Sequence, residues 1–96
     1  MAYDSKLKSS DMDELFKAVL LLESEEDCYR FFEDICTIKE LQAICQRFQV
    51  AKLLAEKKTY NEIEETTGAS TATISRVNRC LTYGADGYNL ILNKWK

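Results

Sequence analysis

The chain has 96 residues, 46% of them apolar and 30% charged, with a net charge of −3. That length fits one domain, and that balance excludes a disordered polymer. There is no Pro, there are three Gly, and no apolar run approaches the roughly 20 residues needed to cross a bilayer. Strand-like alternation is absent over any useful length, so the fold class reads as all-α. The opening MAYDSKLKSS has no apolar core for a signal peptide, which predicts a cytoplasmic address with no membrane partner.

Residues 1–9 read as an arm carrying Lys6 and Lys8. Ser10 followed by Asp13 resembles a capping signal for a first helix, which carries Leu15, Phe16, Val19 and Leu20. Ser24, with Asp27 three positions on, caps a second helix presenting Cys28, Phe31, Phe32 and Ile35. Thr37 and Glu40 form a capping box for a long third helix to about residue 56. Its apolar positions include Leu41, Ile44, Cys45, Phe48, Ala51, Leu54 and Ala55. That stripe is too wide for one neighbour in so small a monomer, so residues 10–57 read as dimerisation helices.

Residues 59–83, TYNEIEETTGASTATISRVNRCLTY, read as a helix-turn-helix. Thr59 and Glu62 have the capping-box spacing. Gly68 stops the short helix, because glycine tolerates the left-handed backbone of a tight turn. Ser70 caps the second helix, whose inward face is Ile74, Val77 and Leu81. Ser70, Thr71, Thr73, Ser75, Arg76 and Arg79 are left for the other side, a short, hydroxyl-rich, basic surface suited to base edges and phosphates. The same caps also suit an ordinary surface αα-hairpin. Gly84 reads as a left-handed C′ residue, and Asp86 as the cap of a final helix over 86–96 carrying Leu90, Ile91 and Trp95.

Cys28, Cys36, Cys45 and Cys80 have no C-x-x-C spacing, and His is absent, so neither a metal nor another cofactor is expected. Cys28, Cys36 and Cys45 lie among Phe, Ile and Leu and read as buried free thiols. From Thr71 onward four basic residues face one acidic residue, +3, which leaves −6 in the first 70. An acidic chain disfavours strong nonspecific nucleic-acid binding, while the local field at the second helix still favours phosphate.

The run Ala72-Thr73-Ile74-Ser75-Arg76 in this setting resembles the Trp repressor superfamily. The likeness covers about residues 37–83. Over the whole length the chain is similar to the YerC/YecD group of Trp-repressor-like proteins. The residues that carry this are LQAICQRFQVAKLL, GASTATISRVNRCL and the turn at Tyr83, Gly84, Gly87 and Tyr88. The resemblance implies an all-helical, intertwined homodimer presenting two helix-turn-helix units one DNA turn apart.

It also implies an effector pocket at Thr37, Arg47, Arg76 and Val77. Val77 stands where the Trp repressor has Gly, and Cys80 stands for Ser. A β-branched side chain in that space argues against tryptophan, while the arginines still suit a small anionic effector. Arg47 equally suits an ion pair within the dimer, and Arg76 a phosphate contact. A second departure is acidic: Asn61 and Glu64 replace basic residues on the first helix of the helix-turn-helix. Lys6, Lys8, Lys57 and Lys58 are candidates for compensating contacts.

The expected function is a sequence-specific transcriptional regulator, a repressor by resemblance, binding double-stranded DNA as a homodimer. The alternative is a helical protein-interaction module using the same surface for a protein partner. The residues argue against an enzyme, with no His, no phosphate loop and no nucleophile–base pair.

Overall fold

Ser9, Ser24, Thr59 and Ser70 each accept a hydrogen bond from the backbone N–H three positions on, at 3.0, 3.1, 3.2 and 3.1 Å, and each opens a helix. The computed structural model describes residues 3–95; Met1, Ala2 and Lys96, the outer ends of the expected arm and final helix, lie outside them. The described residues form six α-helices and no strand. These are α1 (Ser10–Val19), α2 (Glu25–Ile35), α3 (Ile38–Ala55), α4 (Tyr60–Thr67), α5 (Thr71–Tyr83) and α6 (Gly87–Leu92). None is long and apolar enough to cross a membrane.

The chain divides at Thr37 into two compact units. The N-terminal unit holds α1 and α2. The first cap is Ser9 rather than Ser10, because α1 begins one residue earlier than the Ser10–Asp13 spacing suggests. Asp13 instead pairs with Lys8 at 2.7 Å, which removes Lys8 from the set of free cations on the arm. Neither α1 nor α2 buries a residue. Phe16, Leu20, Leu21, Tyr29 and Ile35 are all exposed. The expectation of buried thiols at Cys28, Cys36 and Cys45 is therefore corrected: Cys28 and Cys45 are exposed and Cys36 is half-buried. With no buried residue on α2, neither its Cys28 nor Cys36 at its C-cap has a core to enter.

The second unit holds α3 to α6 and a core of Val50, Ala51, Ile63, Ala69, Ile74 and Val77. Leu53, Leu54, Tyr60, Tyr88 and Leu92 pack around it. Each fully buried aliphatic side chain here contributes about 1.5–3 kcal/mol. Only the C-terminal half of α3 enters this core, while Ile38 and Ile44 on its first turns stay exposed.

α3 closes with the Lys58 N–H donating to the Leu53 carbonyl and the Lys57 N–H to the Leu54 carbonyl, both at 3.0 Å. This pairing is a Schellman ending. Lys57 takes the left-handed position with φ 67°, where glycine is usual.

Two further expectations change near the C-terminus. Gly84 ends α5 in an extended conformation, φ −83° and ψ −157°, and not as a left-handed C′ residue. Its glycine is required by space, since a Cβ would lie 2.5 Å from the Cys80 carbonyl oxygen. Asp86 precedes α6 but makes no side-chain cap to the backbone; its carboxylate accepts from the Asn89 side-chain amide at 2.9 Å. Leu90, Ile91 and Trp95 are exposed, and α6 meets the core through Tyr88 and Leu92. Trp95 follows α6 and rests edge-on to Phe48, with Lys52 Nζ 5.1 Å from its ring centroid.

Candidate nucleic-acid interface

The helix-turn-helix is assembled from local signals. Thr59 and Glu62 form the full reciprocal capping box at the start of α4. The Thr59 N–H donates to the Glu62 carboxylate at 2.7 Å, and that bond, opposed by desolvation, holds the carboxyl below its ordinary pKa. Gly68 takes φ 73° at the turn, and Ser70 caps α5. Between them Ala69 is buried, and its N–H donates to Thr67 Oγ1 at 3.1 Å. Gln46 Nε2, from α3, donates to the Thr67 carbonyl at 3.2 Å and ties the turn to the scaffold helix.

Ile63 on α4 and Ile74 and Val77 on α5 point into the core against Val50 and Ala51 of α3. That packing leaves Ser70, Thr71, Arg76 and Arg79 exposed and Thr73 and Ser75 half-buried. Arg76 and Arg79 make no ion pair or hydrogen bond among the described residues. Their guanidinium groups are available as forked donors, the geometry that suits phosphate oxygens and guanine edges. The hydroxyls are more committed. Ser70 Oγ accepts from the Thr73 N–H and donates to Thr73 Oγ1 at 3.1 Å. Thr71 Oγ1 donates to Glu64 Oε1 at 3.3 Å, linking the second half of α4 to the first residue of α5.

Two contacts here escape the sequence reading, one at Glu64 and one at Asn78. Glu64 is half-buried at the α4–α5 junction, while Glu62 and Glu65 are exposed. Asn78 on α5 donates to the Tyr60 hydroxyl at 3.4 Å. Both contacts join positions seven or more apart across a turn, beyond the reach of a periodicity argument.

The residues expected at an effector pocket are placed as follows. Arg47 is half-buried on α3 and Arg76 is exposed on α5. Val77 is 1% exposed within the packed core. Thr37 belongs to the N-terminal unit. A cleft of about 410 Å3 is lined by Gln42, Cys45, Gln46, Gln49, Thr66 and Thr67, none of them an expected pocket residue. Among the described residues no group of three His, Cys, Asp or Glu side chains converges to hold a metal ion.

The sequence model of the family described as Trp repressor protein matches residues 10–96. The Bacillus subtilis protein YerC, of uncharacterised activity, is 54% identical over 91 residues, covering 95% of this chain and 88% of its own. A TrpR-like protein from Eubacterium eligens has a crystal structure matching at a TM-score of 0.90 and 54% identity, over 93% of this chain and 92% of that one. A crystal structure of a candidate Trp repressor from Staphylococcus aureus matches at a TM-score of 0.89 and 53% identity, over 93% and 89% of the two chains.

Proposed function

Because the chain belongs to the Trp repressor family, we propose that it is a DNA-binding transcriptional regulator acting as a homodimer on a partly palindromic site. The family is one of regulators rather than enzymes. The observation that carries the reading is the outward face of α5. Arg76 and Arg79 are exposed and unpaired among the described residues, at the helix that a helix-turn-helix lays in the major groove. Phosphate contacts from these arginines supply affinity, and Ser70, Thr71, Thr73 and Ser75 lie where base edges and the backbone approach.

Dimerisation is supported by the N-terminal unit. Two helices with no buried residue, exposing Phe16, Tyr29 and Ile35, and the turn between them, exposing Leu20 and Leu21, require another apolar surface. A second copy supplies it, and the open first half of α3, with Ile38 and Ile44 exposed, extends the same requirement. The intertwined arrangement, the cytoplasmic address and repression as the mode of regulation are carried over from the family on the same footing.

Arg47 and Arg76 are the proposed anchors for a small anionic effector, and Thr37 is carried over with them from the family resemblance. Val77 does not line an open site in the single chain, which supports an effector other than tryptophan.

Selection of bound duplexes from a random pool tests the reading. A recovered site with two related halves about one helical turn apart supports it. Failure to enrich any duplex, together with salt-insensitive capture of a protein, supports the interaction-module alternative that Glu62, Glu64 and Glu65 on α4 favour.

A further inference from the structure

Glu64 is the carboxylate that α4 delivers to the start of α5. Its Oε1 accepts from Thr71 Oγ1 at 3.3 Å, and Thr71 is the first residue of α5. The first turn of α5 contains no acidic residue of its own. Glu64 therefore supplies the negative charge that complements the positive end of that helix. It forms no ion pair among the described residues. A half-buried carboxylate hydrogen-bonded at this place is held by the fold and is not a side chain drifting in solvent.

In a helix-turn-helix the N-terminal residues of the second helix meet base edges. A group bonded to Thr71 lies at that edge. In the major groove guanine offers only acceptors, N7 and O6, and thymine offers O4 and a methyl group; a carboxylate gains nothing from either and is repelled by nearby phosphates. Cytosine offers its N4 amino donor without an adjacent N7 acceptor, so it satisfies the carboxylate at least cost.

Resting on the DNA-binding reading above, we propose that Glu64 is a specificity-determining residue. It accepts a hydrogen bond from a cytosine amino group at one position of each half-site, with Thr71 as the residue that positions it. Its charge lowers affinity for duplexes lacking cytosine there, so discrimination comes from a penalty on wrong sites as well as a contact to the right one.

The test compares wild type, Glu64→Gln and Thr71→Val by selection from a random duplex pool, followed by binding titrations on the recovered sites. Helicity by circular dichroism confirms that each variant is folded. Wild type is expected to enrich cytosine at one position per half-site and to lose about tenfold in affinity when it is replaced by thymine. Glu64→Gln is expected to lose that preference and move toward adenine, whose N6 and N7 match an amide. Thr71→Val keeps the charge but frees the carboxylate, and the cytosine preference should weaken to about threefold or less. Retention of the wild-type ranking in Glu64→Gln, with tighter binding to every duplex alike, would overturn the proposal and leave Glu64 as a general repulsive charge. Absence of duplex binding by wild type itself would overturn the DNA reading, and this inference with it.

Discussion

The Gln46 side-chain amide donates to the Thr67 carbonyl at 3.2 Å. Thr67 is the last residue of α4, where carbonyls no longer have intrahelical partners. The bond therefore satisfies an orphan acceptor and fixes the turn of the helix-turn-helix to α3. Both partners are half-buried. Gln46→Leu removes the donor while keeping most of the packing, and should destabilise by about 1 kcal/mol. Urea melts check this, read from the midpoint at unchanged slope.

Lys57 and Gly84 predict opposite effects on substitution. Lys57→Gly relieves a non-glycine φ of 67° and should stabilise by about 0.5–1 kcal/mol. Gly84→Ala drives a Cβ to 2.5 Å from a backbone oxygen and should destabilise by about 1–3 kcal/mol. Thermal melts of both variants beside wild type test the pair. Equal melting of all three would show that neither position constrains the fold.

What the sequence made legible was local. Thr59, Gly68 and Ser70 mark caps and a turn whose chemistry depends on residues at most a few positions away, and the structure has them as read. Ile74 and Val77 follow from spacing alone on a helix with one polar face. Val50 is fully buried, although no spacing on α3 singles it out. α3 is apolar on several sides, and only the way α4 and α5 pack against it selects the face that carries Val50. Ser9 and Ser10 are both competent caps, and the position of the first helical turn decides between them. Gly84 is needed for space and not for a left-handed torsion. The Glu64–Thr71 bond spans seven positions across a turn and has no periodic signature.

Glu62 gives the helix-turn-helix a dependence on acid. Its carboxyl is held below the ordinary pKa, first by the Thr59 N–H. A lowered folded pKa contributes stability that is fully present above the unfolded value and is lost as pH falls through the folded one. Glu62→Gln retains a capping partner but cannot titrate. Melting temperature should therefore fall less in Glu62→Gln than in wild type between neutral pH and the range below ordinary carboxylate titration. Parallel pH profiles would contradict this.

L-Tryptophan should not bind. Val77 is 1% exposed and packed with Ile63 and Ile74, at the position where the resemblance puts glycine beside the ligand. Inserting a ring against such a site costs about 1–3 kcal/mol in overpacking. Calorimetry at millimolar tryptophan should give no saturable heat. A saturable isotherm with wild type would sink the steric account.

The homodimer is checked by light scattering. The mass at micromolar concentration should be about twice the 11.1 kDa of the chain. Phe16→Glu with Leu20→Glu places charge on two exposed apolar positions, one on α1 and one at its C-terminal cap, and should lower that mass or unfold the chain. A folded, unaltered dimer in that variant would place the contact elsewhere.

DNA recognition through the cationic face of α5 is measured by a salt series on a selected duplex. Fluorescence anisotropy from about 50 to 200 mM salt should show affinity falling steeply, with a log–log slope set by the number of phosphate contacts. Arg79→Ala should weaken binding and reduce that slope by about one contact per chain. Wild-type binding that is absent, or an affinity that does not change with salt and is the same in Arg79→Ala, would rule out DNA recognition through α5.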